Sequence, residues 1–203
     1  MIEIRSAADG EGLGIAQRLI RAHFAAHSTA HDAESSERIV AALPDPYVPP
    51  RGGLWVAYLD GVGAGCAALR EIDEETAEVK RMYVDPEMRG QGIARTLAKH
   101  VIERAREIGY RRLRLGTLAT MKPAQSLYES LGFRSVPAYR PNEFGDTLFY
   151  ELILDDVSAL QRPQLVDDRA AEIQHAARAE IRKRRRGRLG KNVDVGPVKP
   201  VDQ

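Results

Sequence analysis

The stretch with the most chemical promise is Arg89-Gly90-Gln91-Gly92-Ile93-Ala94. It stands between a strand-like run, "EVKRMYVDPEM", and a helix-like run, "RTLAKHVIERAREIG". A glycine-rich bend in that position lets backbone N–H groups approach a ligand, because glycine has no Cβ to hold it off. The start of a helix adds unpaired N–H groups and the positive end of a dipole, which suits a phosphate. Two phosphate cradles can be set aside. A Walker A loop closes on Gly-Lys-Ser/Thr to reach the terminal phosphates and Mg²⁺, but Gly92 is followed by Ile93-Ala94. A dinucleotide fingerprint needs a third glycine after the first strand of a βαβ unit. "GQGIAR" lacks it, and strands already precede this stretch. A second glycine cluster, "GVGAGCAA" (Gly61–Ala68), runs on into apolar strand residues instead of a helix.

Other reactive side chains offer less. Cys66 is the only cysteine, so there is no internal disulfide and no multi-cysteine metal site. It lies in an apolar strand away from the glycine turn, which gives no support to a covalent thiol route. His23, His27 and His31 recur at every fourth residue, and two of them could share a zinc ion. No carboxylate or cysteine completes such a site at useful spacing, and Ser28-Thr29 interrupts the helical pattern. The expectation is a surface stripe and no metal.

The elements that must carry these residues follow from periodicity. "MIEIRSA" alternates as a strand, and residues 11–26 form an amphipathic helix through Leu13, Ile15, Leu19, Ile20 and Phe24. "SSERIVAAL" reads as a second helix behind a serine cap, and "PDPYVPPRGG" as a proline-rich loop. "LWVAYLDGVGAGCAALREI" reads as a hairpin turning at Asp60-Gly61, a dipeptide that tolerates positive φ. Ala77–Val84 is the strand before the glycine turn. The helix after Gly92 places Ile93, Leu97, Val101, Ala105 and Ile108 on one face. "YRRLRLGTL" is the next strand. "KPAQSLYESLGF" is a short helix with Pro123 early and Gly132 at its end. "DTLFYELIL" is a last strand, and one more short strand is possible near Arg134–Tyr139.

The chain has 203 residues with 30 Lys+Arg against 29 Asp+Glu, a formal net charge of +1. No global field therefore points to nucleic acid or membrane. No apolar run approaches the ~20 residues of a membrane-spanning helix, and the N-terminus lacks a secretory core. The expectation is a cytoplasmic protein. Residues 155–203 differ from the rest, with 11 Lys+Arg against 8 Asp+Glu. A helix from about Asp167 and a disordered end are expected there. The run "RKRRRGR", Arg182 to Arg188, has no interleaved aromatics to stack bases, so nucleic-acid contact is expected, if at all, only through this basic tail.

Read as [Gln/Arg]-x-x-Gly-x-[Gly/Ala], the residues Arg89 to Ala94 resemble the GNAT superfamily of acetyl-CoA-dependent N-acetyltransferases. "VDPEMRGQGIARTLAKHVIERAREIGY" is similar to that family's strand–turn–helix unit, and "AQSLYESLGF" to its later helix. The resemblance covers roughly residues 2–154, with 155–203 as an extension. It implies an α/β GNAT fold: a mixed, mostly antiparallel sheet of six to seven strands with helices on both faces. Two parallel strands, one of them "RRLRLGTL", would splay apart to receive the cofactor.

The same resemblance implies roles. Arg89, Gly90, Gln91, Gly92, Ile93 and Ala94 would hold the coenzyme A pyrophosphate. The main chain of Met82, Tyr83 and Val84 would pair with the pantetheine arm and polarise the thioester carbonyl. Tyr128 would protonate the leaving thiolate, although its position beside Leu127 and Leu131 also suits a core tyrosine. Glu78, eleven residues before Arg89, would be the general base, or else half of a solvent-facing pair with Lys80. Strict alternation would put Glu78, Lys80, Met82 and Val84 on one face. Met121 departs from the family, where many relatives have asparagine. Tyr47, Tyr139 and Arg140 are candidate acceptor contacts, and an arginine would suit a carboxylate or phosphate. The implied reaction is direct acetyl transfer from acetyl-CoA to a primary amine of a small molecule or peptide, with a homodimer possible. The alternative is an inactive coenzyme A-binding module with a basic tail that contacts an acidic partner or nucleic acid.

Overall fold

The computed structural model describes residues 1–26, 33–141 and 146–154, all within one compact unit, Met1–Val157. His27, His31 and the tail readings at 155–203 lie outside the described residues. The elements are β1 (Ile2–Ser6), α1 (Gly10–Ala26), α2 (Ala33–Ala42), β2 (Gly53–Leu59), β3 (Val62–Glu71), β4 (Thr76–Val84), α3 (Ile93–Ile108), β5 (Arg112–Leu118), α4 (Lys122–Ser130), β6 (Arg134–Val136) and β7 (Thr147–Ile153). One 3-10 turn, Pro86–Met88, leads from β4 to the glycine turn. The seven strands form a single sheet in the order β1-β2-β3-β4-β5-β7-β6.

Helices cover both faces of this sheet. Residues Ala16, Leu19, Ile20 and Phe24 of α1 build one core with Val40, Tyr47, Val56 and Cys66. Residues Ile93, Leu97, Val101 and Ala105 of α3 build the other with Trp55, Leu69, Leu113 and Leu115. Burial on both sides explains why β2 and β3 are almost continuously apolar instead of alternating. Complete burial of a leucine such as Leu97 contributes roughly 1.5–3 kcal/mol. The hairpin turns where expected, with Asp60 at φ 49° and Gly61 at φ 85°. Helix α3 ends at Gly109, whose φ of 98° forms the left-handed cap that glycine allows. Helix α2 differs from its sequence reading: it contains Ser35 and Ser36 and so does not start behind them.

Every strand pairing is antiparallel except β4 with β5. That parallel pair is short, joining Thr76, Ala77 and Glu78 to Arg112, Leu113 and Arg114. Past this point β4 follows β3, and β5 follows β7 along its whole length. The sheet therefore forks. Just beyond the fork, Lys80 faces Ala68 and Tyr83 faces Cys66, so two residues of β4, Arg81 and Met82, stand opposite Ala67 alone. This is a β-bulge, and Arg81 carries its positive φ of 54°. A bulge bends and twists its strand, which here carries β4 away from β5.

The bulge also overturns the strict alternation expected for β4. Ala77 and Val79 pack on the α3 side, and so do Met82 and Val84, while Tyr83 packs on the α1 side. The one inserted residue changes the phase, and Glu78 and Lys80 lie on the face opposite Met82 and Val84.

Candidate active site

The fork opens into a cavity of about 650 Å³. Its walls are the exposed edge of β4, the end of β5, the first turn of α3, the Pro123–Tyr128 part of α4, and His23 and Phe24 of α1.

One end of the cavity is the glycine turn. Gly90 and Gly92 have φ of 79° and 83°, a conformation that L side chains resist. A Cβ at either position would meet nothing within 4 Å, so conformation demands the glycines and the space before them stays open. Gly92 caps α3 without any side-chain cap bond, and the first helical turn holds no acidic residue. The N–H groups of Ile93, Ala94 and Arg95 therefore have no partner within the helix and lie at the cavity wall. Arg89 and Arg95 add charge. The Arg89 Nε donates to the Val84 carbonyl at 3.2 Å, and an Arg95 Nη donates to Ser130 Oγ at 2.9 Å. Of the nine residues expected to hold the cofactor, Met82, Tyr83, Val84, Arg89, Gly90, Gly92, Ile93 and Ala94 line the cavity; Gln91 does not. Sequence reasoning missed Arg95, the third residue of an otherwise ordinary amphipathic helix.

Tyr128 is 6% exposed, packs edge-on to Phe133 at 5.7 Å, and lines the cavity. Burial pushes its phenol up to about 12, so it keeps its proton at neutral pH. Met121 stands at the head of α4 without a side-chain capping bond. The loop is held instead by Gln125, whose amide donates to the carbonyls of Leu118 and Ala119 at 3.0 and 2.9 Å.

Glu78 does not line the cavity. It is fully buried behind it, and its carboxylate is surrounded by donors. Arg70 donates through Nη2 and Nε to Oε2 at 2.6 and 2.9 Å. The Tyr139 hydroxyl and the Arg140 Nε donate to Oε1 at 2.9 and 3.3 Å, and Lys80 Nζ lies 3.7 Å from the same oxygen. Burial pushes the Glu78 pKa up, but the charges of Lys80 and Arg70 and the hydrogen bonds of Arg70 and Tyr139 outweigh it. The pKa ends below the usual carboxylate value. Lys80, with its side chain 20% exposed, is lowered to about 8 by burial first and then by Arg140, Arg81 and Arg70, against the pull of Glu78. Tyr139 is raised by burial and by Glu78.

Lys80, Arg81 and Arg140 all reach the cavity wall. Arg140 lies over Gly116, where a Cβ would stand 3.3 Å from its Nη2. Arg81 spans Phe24 and Tyr47, its guanidinium 4.9 Å from the ring centroid and its Nε donating to the tyrosine hydroxyl at 3.1 Å. Tyr47 itself does not line the cavity. Cys66 is nearer the site than its sequence position suggests, because it pairs with Tyr83 across β3 and β4. It points into the α1-side core, and its Sγ donates to the Arg81 carbonyl in the bulge at 3.3 Å. Burial pushes this thiol up to about 12, which leaves it unreactive.

The model of the Acetyltransferase (GNAT) family matches residues 16–133, which span the forked sheet's β4 and β5 and the glycine turn between them. The chain belongs to the GNAT acetyltransferase family. A zebrafish (Danio rerio) N-acetylaspartate synthetase is 48% identical over 93 residues, which cover 44% of this chain and 33% of that relative. An uncharacterised N-acetyltransferase of Escherichia coli is 39% identical over 93 residues, which cover 44% of this chain and 56% of the relative. The chain thus spans a third to about half of the length of these curated relatives. A GNAT family acetyltransferase from Elizabethkingia anophelis, solved with acetyl-CoA bound, superposes with a TM-score of 0.55 at 26% identity, covering 75% of this chain and 98% of that one. Among the described residues, no helix is long and apolar enough to cross a membrane, and no group of His, Cys, Asp and Glu could hold a metal ion.

Proposed function

We propose that the protein transfers the acetyl group of acetyl-CoA to the primary amine of a small acceptor that carries a carboxylate. One observation carries this reading: a single cavity contains both an anion cradle at the start of α3 and a buried phenol, on a chain of the GNAT acetyltransferase family. The name of the N-acetylaspartate synthetases supports an acidic amine as acceptor.

In this reading the N–H groups of Gly92 to Arg95 hold the pyrophosphate, with Arg89 and Arg95 neutralising its charge. The β4 main chain at Met82–Val84, left without a β5 partner, pairs with the pantetheine arm. An N–H there stabilises the oxyanion that forms when the amine attacks the thioester carbonyl, an effect worth ~3 kcal/mol. As the C–S bond breaks, Tyr128 gives its proton to the departing sulfur and recovers one from solvent. The proton lost by the acceptor ammonium passes to water, because Glu78 stands behind the cavity and is saturated with donors. We assign Glu78 the part of an anchor for the cations at the fork instead of the base expected from sequence.

Isothermal titration with acetyl-CoA, followed by an assay for free coenzyme A thiol with amine acceptors, tests the reading. Binding with acceptor-dependent thiol release supports it. Binding without release under any amine would favour the inactive coenzyme-binding alternative.

A further inference from the structure

The charged residues along the cavity are all of one sign. Lys80, Arg81, Arg89, Arg95 and Arg140 line it, and among the described residues no aspartate or glutamate does. A cationic acceptor such as a polyamine would find no counter-charge there, and desolvating its extra ammonium groups beside these cations would be costly. Arg89 and Arg95 flank the helix start. The other three lie along the fork.

The fork cluster has a definite charge balance. Three cations, Arg70, Lys80 and Arg140, lie within 4.0 Å of Glu78, and each forms its ion pair with that one carboxylate. Among the described residues, the cluster thus sets three cations against one carboxylate. Arg140 is set in place on three sides: by Glu78, by the Phe149 ring 5.3 Å from its guanidinium carbon, and by the missing side chain of Gly116. Its Nε is engaged with Glu78, and its Nη2 lies beside Gly116, which also lines the cavity. A guanidinium's N–H fork matches a carboxylate. Lys80 stands two residues beyond the last β4 pair with β5, and Gly116 two residues beyond the last β5 pair with β4. Lys80 and the Arg140 guanidinium thus flank the opening of the fork.

We propose that Lys80 and Arg140, gathered on the buried Glu78 carboxylate at the fork, form the acceptor's acid subsite, and that this subsite takes an amine carrying two carboxylates. The inference rests on the acetyl-transfer reading only for the amine; the binding of two carboxylates stands on the cluster itself. Lys80 and Arg140 are specificity residues that touch the acceptor, and Glu78 is a positioning residue that acts through them.

The test uses the whole chain and two independent readouts. Succinate, a dicarboxylate without an amine, is titrated by calorimetry in the presence of coenzyme A. Thiol release from acetyl-CoA is then measured with L-aspartate, L-glutamate, their amides L-asparagine and L-glutamine, O-phospho-L-serine and spermidine. The expected results are succinate binding and a preference of at least tenfold in kcat/KM for one dicarboxylic amino acid over its own amide. Arg140→Gln and Lys80→Met should each weaken succinate at least tenfold and raise the acceptor KM by a similar factor. In both variants kcat and the Kd of acetyl-CoA should stay within about threefold, and the preference over the amide should collapse. Equal use of the amide, preference for spermidine, or variants that lower kcat with KM unchanged would each overturn the proposal. Preference for phosphoserine would replace a dicarboxylate by a phosphate. If acetyl-CoA fails to bind but succinate binds, the transfer reading falls and the subsite stands. If acetyl-CoA binds and succinate does not, the subsite falls alone.

Discussion

Replacing Gly92 by glutamate separates the conformational role of the turn from its ligand. The φ of 83° puts any L residue in the left-handed region, at a cost of roughly 1–2 kcal/mol. A Cβ there meets nothing within 4 Å, so no clash adds to that strain. A carboxylate at the start of α3 returns about 0.5 kcal/mol through the helix dipole. Gly92→Ala shares the strain and lacks the charge. Both variants should therefore unfold at a Tm lower by ~2–8 °C, with Gly92→Glu the more stable of the two. Their affinities should part company. A carboxylate about 4 Å from a phosphate repels it by ~2–4 kcal/mol per pair of charges once partial solvent exposure is allowed for. That corresponds to a Kd for acetyl-CoA ~30- to 700-fold weaker than that of Gly92→Ala. Calorimetric titration beside a thermal melt measures both quantities. A folded Gly92→Glu protein whose Kd lies within about threefold of the alanine variant would refute the placement of the pyrophosphate on this turn.

Four further expectations follow from the site. Tyr128→Phe should lower kcat by ~10²-fold or more while leaving the Kd of acetyl-CoA unchanged, as read by thiol release and titration. Glu78→Gln should cost ~3 kcal/mol in denaturant unfolding, because it leaves buried cations unmatched, and should raise the acceptor KM; a loss of kcat with stability intact would instead mark Glu78 as a base. Succinate affinity should fall as pH rises through about 8. The sign follows from Lys80, which is charged below that value and neutral above it; Glu78, held below the usual carboxylate value, stays ionised beside it, and Arg70, Arg81 and Arg140 are the cations that face it. The dependence should vanish in Lys80→Met. Native Cys66 should resist iodoacetamide at pH 8, since its thiol is buried and pushed up to about 12, and should react fully once the protein is unfolded; rapid native labelling would contradict its placement in the α1-side core.

Local patterns in the sequence were enough to place most elements. The spacing of Ile93, Leu97, Val101 and Ala105 defined the buried stripe of α3, and Asp60-Gly61 marked a turn that few other dipeptides could make. The turn proposed to hold the pyrophosphate was readable because its features, positive φ and a helix start without a side-chain cap, fall on adjacent residues. The cluster proposed for the acceptor was hidden because its contacts join distant parts of the chain. Glu78 meets Arg70 across a strand pair and Tyr139 and Arg140 from beyond β6, and nothing local in "TAEVKRMYV" announces those partners. The same string does shift phase, from apolar Ala77 and Val79 to apolar Met82 and Val84 across the adjacent Lys80-Arg81, and strict alternation read past that trace of the bulge, so the faces of Met82 and Val84 were assigned wrongly. Gly116 gave no signal either, since its role is to make room for a guanidinium that arrives from residue 140.

The bulge at Arg81 divides β4 into two stretches with separate obligations. Downstream, Met82 and Val84 pack on the α3 side and line the cavity. Upstream, Glu78 and Lys80 answer to side chains from β3 and from the segment before β7. Because the phase is reset between them, Glu78 and Lys80 meet neighbours on the opposite face from those of Met82 and Val84. One strand can therefore keep its grip on a common donor while its earlier residues are rewritten for a new recipient. A chain built this way can diversify what it modifies without rebuilding how it is supplied.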